Sequence, residues 1–125
     1  MKELKAVIKP VSERRQHPRL EKNIPLKISS TDFDIVTETK NLSCRGAYCQ
    51  VNRPLEMMTK LKIHILIPLM KNNKVATKKI TCEGVVVRAE PQPRQGYYNT
   101  AIYFSDIQSK DAKIISEYVQ SILKQ

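Results

Sequence analysis

Between Ile24 and Phe104 this chain holds several short runs in which apolar residues fall at every second position, and beyond Ser109 the period lengthens to that of a helix. Period two places alternate side chains on opposite faces, so each such run is a strand with one buried side. Leu61, Ile63, Ile65 and Ile67 alternate without a miss around Lys62 and His64. Ile24, Leu26 and Ile28 do the same, as do Ala47, Cys49 and Val51 after Gly46. Residues 34–40 are rich in Thr and β-branched residues, residues 77–89 put Ile80, Cys82, Gly84 and Val86 on one face, and residues 97–104 form the last such run. Turn signals divide the runs at Thr31-Asp32, at Asn52-Arg53-Pro54, at Lys71-Asn72-Asn73-Lys74 and in the proline-containing stretch 90–96. Pro68 predicts the end of the fourth strand, and Gly84 inside the fifth predicts a bulge or bend.

At the end of the chain, Ile114, Ile115, Tyr118, Val119, Ile122 and Leu123 form one stripe of an amphipathic helix. Ser109 is the expected N-cap, and Asp111 in the first turn suits the helix dipole. Six antiparallel strands with no repeated strand–helix unit, followed by one helix, predict an all-β fold: a six-stranded antiparallel β-barrel closed by a C-terminal α-helix. A length of 125 residues suits one domain. The expected boundaries are a flexible N-terminal segment over 1–12, an arginine loop over 13–20, the barrel over 23–105 and the helix over 109–124.

Charge narrows the function classes. The formal net charge is +10, which calls for an anionic partner. Residues 1–19 hold six Lys and Arg against two Asp and Glu, and Lys71, Lys74, Lys78 and Lys79 lie in a stretch without acids. With 41% hydrophobic residues the chain is no disordered basic tail. No apolar run is long enough for a membrane span, and no signal-peptide core is visible near Met1, so a cytoplasmic location is expected. Cys44, Cys49 and Cys82 lack disulfide or zinc spacing, and Cys49 and Cys82 read as small core residues. His17 reads as a loop residue and His64 as a barrel-exterior one; the two predict no metal site. Tyr97 and Tyr98 belong at the barrel rim, and the lysines of 71–79 on a solubilising hairpin or a docking patch. No nucleophile–base–orienter set or phosphate-cradling glycine loop is present, so an enzyme is not expected.

Two short patterns carry the remaining chemistry. Arg14-Arg15-Gln16-His17-Pro18-Arg19 contains Arg-x-x-x-Arg at Arg15 and Arg19. Pro18 turns His17 away from helix, so the stretch is an extended loop before the first strand. Asn41-Leu42-Ser43-Cys44-Arg45-Gly46 is Asn-x-Ser-x-x-Gly at the junction of the second and third strands. Guanidinium forks pair with phosphate oxygens and with the O6/N7 edge of guanine, while Asn and Ser supply acceptors and donors for what remains of a purine. The pair of motifs points to an anionic, guanine-like ligand.

The order and spacing of the two motifs resemble the PilZ domain family, bacterial receptor modules for cyclic di-GMP. Arg15 and Arg19 match its first motif; Asn41, Ser43 and Gly46 match its second. The stretches NIPLKI, EGVVVR and AIYFSDIQSKDAKIISEYV also match, so the resemblance runs from about residue 13 to the C-terminus. The chain departs from the family pattern in presenting an amide at Asn41 where a carboxylate also occurs, and in placing Arg45 where small residues are frequent. The resemblance implies a stand-alone receptor and adaptor. In it Arg15 and Arg19 contact phosphates and guanine, Asn41, Ser43 and Gly46 bind the other side, and the ordered arm presents a new surface to a downstream protein partner. Arg14, directly before the first motif, implies two stacked ligand molecules per protomer. The ligand is cyclic di-GMP, no other cofactor is expected, and a monomer and a homodimer both fit. The rival readings are a nucleic-acid-binding small barrel and a ligand-independent scaffold of the same fold. Only 6% aromatics and no Trp disfavour a base-stacking platform, and the retained arginines disfavour the scaffold.

Overall fold

The computed structural model describes residues 18–93 and 96–124. Six strands form the barrel: β1 (Pro25–Ser29), β2 (Asp34–Ser43), β3 (Gly46–Val51), β4 (Lys60–Lys71), β5 (Lys74–Pro91) and β6 (Tyr98–Asp106). A single helix, α1 (Ser109–Leu123), follows them. All pairings are antiparallel, and the ring closes in the order β1-β2-β3-β6-β5-β4. The all-β barrel with a terminal helix is therefore the observed architecture.

The alternation read from the sequence is the inside–outside alternation of the barrel wall. Leu61, Ile63, Ile65 and Ile67 are all buried, and Leu26 and Ile28 face Ile65 and Ile63 from the neighbouring strand. Ala47, Cys49, Val51, Ile80, Cys82, Val86, Ile102 and Phe104 complete the interior. Each fully buried Leu or Ile contributes about 1.5–3 kcal/mol relative to an exposed one, so the barrel interior is the main source of stability. The helix buries Ile115, Tyr118 and Val119 and packs against β2 and β4. Six strands alone would leave the interior open at one end, and this stripe covers it.

Several boundaries differ from the sequence expectation, each for a physical reason. β4 continues through Pro68 to Lys71. Its pairing with β1 stops at Ile65, so β4 is an edge strand at Pro68, where a residue without an N–H is tolerated. β5 correspondingly begins at Lys74 and runs to Pro91, because pairing with β4 at one end and with β6 at the other carries it past the polar residues. The turn between β4 and β5 places Asn72 (φ 52°) and Asn73 (φ 63°) in the left-handed region, which Asn tolerates and which matches hairpin twist. Gly84 lies at a register shift, as expected; a Cβ there would come within 2.7 Å of Ile102 Cγ2. A second shift falls between Val86 and Arg88. Ser109 is not the N-cap. It is the first helical residue, and Gln108, extended at φ −67° and ψ 145°, precedes it without a side-chain cap. The Asp111 and Ala112 N–H groups donate instead to the Gln108 carbonyl.

Candidate functional site

The second motif is the hairpin between β2 and β3. Ser43 pairs with Gly46, and Cys44 and Arg45 form the two-residue turn between them. The Arg45 N–H donates to Ser43 Oγ at 3.1 Å, and the Arg45 carbonyl accepts from the Phe104 N–H at 2.8 Å, which ties the turn to β6. Gly46 is required by space. A Cβ there would overlap the Ile102 carbonyl oxygen of β6, which is backbone and cannot step aside.

The first motif reaches this hairpin through its second arginine. Leu20 and Leu42 exchange two backbone hydrogen bonds of 2.8 and 2.9 Å, so the loop before β1 is stitched to β2. Leu20 and Leu42 are both buried. Arg19, one residue earlier, is thereby held over the motif. Its Nε donates to Asn41 Oδ1 at 2.7 Å, Nη1 to Ser43 Oγ at 3.2 Å and Nη2 to the Gly46 carbonyl at 3.3 Å. One guanidinium thus gathers all three residues of the second motif. Ser43 is fully buried, while Asn41 and Arg19 are half-buried. A register shift between Thr39 and Asn41 helps aim Asn41 toward the arginine.

These residues form one end of an open groove of about 460 Å³ on the outer barrel wall. Tyr48, Ala101 and Arg88 lie side by side across β3, β6 and β5, with Ala101 the low point between two long side chains. Gly46 and Tyr103 form the adjacent rung. Val87 and Arg45 complete the rim. Nothing in the linear sequence marks Arg88, Tyr48 or Tyr103 as groove residues. They arrive through register, and the shift between Val86 and Arg88 leaves Val87 and Arg88 both exposed. The groove therefore brings together Arg19, Asn41 and Gly46 with two further arginines and two tyrosine rings, and Ser43 lies buried beneath, holding Arg19. Arg14, Arg15 and His17, and the segment 1–12, lie outside the described residues.

The other singled-out side chains sit elsewhere. Cys49 and Cys82 are buried, and burial pushes both thiols up to about 12. Cys44, in the motif turn, is half-buried. His64 is half-buried on the barrel exterior, with Nδ1 3.1 Å from Thr81 Oγ1. Burial, then Lys79, Lys27 and Lys62, hold its pKa below the ordinary value, with Asp34 opposing them. Among the described residues no helix is long and apolar enough to cross a membrane.

Comparison with known proteins agrees with the fold. The family model described as the PilZ domain matches residues 13–121. Among solved structures, the Bacillus subtilis inhibitor of motility (MotI/DgrA) superposes with a TM-score of 0.73 at 22% identity, covering 90% of this chain and 53% of that one. The chain thus spans about half the length of that relative. The PilZ domain of YcgR from Escherichia coli, solved with c-di-GMP, superposes with a TM-score of 0.58 at 11% identity over 89% of this chain and 92% of that one. The PilZ domain of CeSA from a cellulose synthesizing bacterium gives 0.54 at 17% identity, over 85% and 98%. No curated protein matches the chain significantly.

Proposed function

The chain belongs to the PilZ domain family, and on that premise we propose that it is a receptor that binds cyclic di-GMP in the groove beside Arg19 and relays its presence to a protein partner. PilZ domains are binding and adaptor modules rather than enzymes. The observation that carries the reading is the Arg19 guanidinium held by Asn41, Ser43 and the Gly46 carbonyl. An arginine fixed in that way holds a positive charge at a set place in the groove, and a phosphate or a guanine O6/N7 edge is the partner such a charge attracts.

In this reading the floor of the groove is built before ligand arrives. Arg19 and the hairpin supply fixed donors, and Tyr48 and Tyr103 supply aromatic surface at base height. Arg15 approaches from the preceding loop and meets the second phosphate. Arg14 adds a further fork, and two stacked ligands per protomer are expected. Ligand charge neutralises the arginine-rich arm, which then packs as one surface for the partner.

Calorimetry with cyclic di-GMP, using GTP and cyclic di-AMP as controls, tests the proposal. Binding of cyclic di-GMP alone with a stoichiometry near two supports both parts. A stoichiometry of one overturns the role of Arg14 but leaves the site. Undiminished binding after Arg15→Ala and Arg19→Ala together overturns the site itself.

A further inference from the structure

The distal half of the β4–β5 hairpin leaves the barrel. β1 pairs with β4 only as far as Ile65, and β6 pairs with β5 only from Glu83 onward. Beyond those points β4 and β5 pair with each other alone, down to Lys71 opposite Lys74. Every residue of 71–79 is exposed. Among the described residues no strand pairs with the outer edge of β5 over 74–79. An edge of this kind offers a row of backbone N–H and C=O groups to another chain.

The two faces of this arm differ in chemistry. Opposite residues of an antiparallel pair share a face. The register therefore puts Lys71, Lys74 and Lys78 on one face, and Leu66, Met70 and Val75 on the other with Lys79. Met70 is 73% exposed, Val75 69% and Leu66 39%. No Asp or Glu occurs between Leu66 and Cys82; Glu117 of α1 lines the cleft between the helix and the arm.

From this register we infer that the β5 edge over 74–79 is a strand-addition site for an extended segment of a partner protein that alternates acidic and apolar residues. The added strand takes main-chain hydrogen bonds from the open edge. Its acids fall on the lysine face beside Lys74 and Lys78, and its apolar residues fall on the face of Val75 and Thr77. Charge disfavours a second copy as the occupant in the register centred on Ala76. Two β5 edges paired about Ala76 would set Lys74 of one chain opposite Lys78 of the other, twice, and like charges directly opposite are destabilising. The inference is independent of the nucleotide reading, since no groove residue enters it.

The test uses the full chain and a fluorescent eight-residue peptide alternating Glu and Val, followed by anisotropy. The expected result is binding that weakens about tenfold when salt is raised from 0.05 to 0.5 M, and about tenfold or more in the Lys74→Glu/Lys78→Glu variant. A second peptide of the same composition with Glu and Val in blocks of two, and a third with a central proline, are expected to bind at least tenfold more weakly. Equal binding of all three peptides would reduce the effect to bulk charge and overturn the strand-addition site. Preference for phosphatidylglycerol vesicles over the alternating peptide would overturn it in favour of a membrane surface, and absence of peptide binding at low salt would overturn it outright. The peptide comparison on the unaltered chain keeps the test valid if the double variant folds poorly.

Discussion

Two cationic regions of this molecule are built in opposite ways. At the groove one arginine is fixed by three acceptors, and its backbone is stitched to β2 through Leu20 and Leu42. On the arm four lysines stand on two strands that only each other hold. The same kind of charge becomes a shaped receptor in the first case and a broad attraction in the second. What separates them is the number of constraints on the backbone beneath the charge. Hydrogen bonds to fixed acceptors remove side-chain freedom in advance, whereas an exposed lysine keeps its rotamers until a partner arrives.

The comparison is tested most severely at Gly46. Gly46→Ala drives a methyl into the Ile102 carbonyl, and overpacking between paired strands should cost about 3 kcal/mol, read as a fall in Tm. Ala76→Ser, on the exposed arm, should change stability by less than about 0.5 kcal/mol, a Tm shift of a few degrees at most. An equal loss at the two positions would erase the distinction.

Next in size is ligand affinity. Arg19→Ala should weaken cyclic di-GMP binding about 100-fold, or about 2.8 kcal/mol, whereas Lys78→Ala should leave it within about twofold. A matching loss in the lysine variant, measured by calorimetry at fixed salt, would mean that the groove responds to net charge and not to geometry.

A smaller contrast concerns opening of the backbone. Amides of residues 74–79 should exchange with solvent at least about tenfold faster than those of β3, because the arm has few buried apolar contacts. Hydrogen exchange followed by mass spectrometry reads this directly.

The smallest effect lies where the arm joins the barrel. His64 is held below its ordinary pKa by burial first and then by Lys79, Lys27 and Lys62. A depressed histidine means that the unfolded chain takes up the proton more readily. Its contribution to stability is therefore present above about pH 6.5 and declines as pH falls through that value toward the folded pKa. Lys79→Ala should raise the His64 pKa in an NMR titration without restoring it fully, since burial remains. No movement would show that the arm lysines do not act on the barrel wall.

Much of this fold is legible in the sequence because one physical rule, alternation, operates along the whole barrel. Leu61 to Ile67 could not bury their side chains as anything but a strand with that face inward. The limits of the strands were less legible. Pro68 looks like a stop, and only the absence of a second neighbour for β4 explains why the strand passes through it. Ser109 looks like a cap, yet the helix begins one residue earlier in its hydrogen bonding, at the Gln108 carbonyl. At the groove, Asn41, Ser43 and Gly46 are close in sequence, and Arg19 follows from its fixed separation. Arg88 and Tyr103 reach the groove across the β5–β6 pairing, with a register shift between Val86 and Arg88. A shift of one residue exchanges the faces of a strand, and no linear pattern announces it.

The eighteen residues of β5 join the groove to the arm as one strand, across two register shifts. Between Lys78 and Arg88 lie about ten residues, roughly 33 Å of strand. An extended backbone is already near the limit of its reach, so it cannot transmit a pull by stretching. It can transmit a turn, because strand twist is soft and varies from one sheet to the next. Occupancy at one end should therefore be felt at the other as a change of pitch rather than of position. The time-resolved orientation of a dye on the arm would register it where a distance measurement would not.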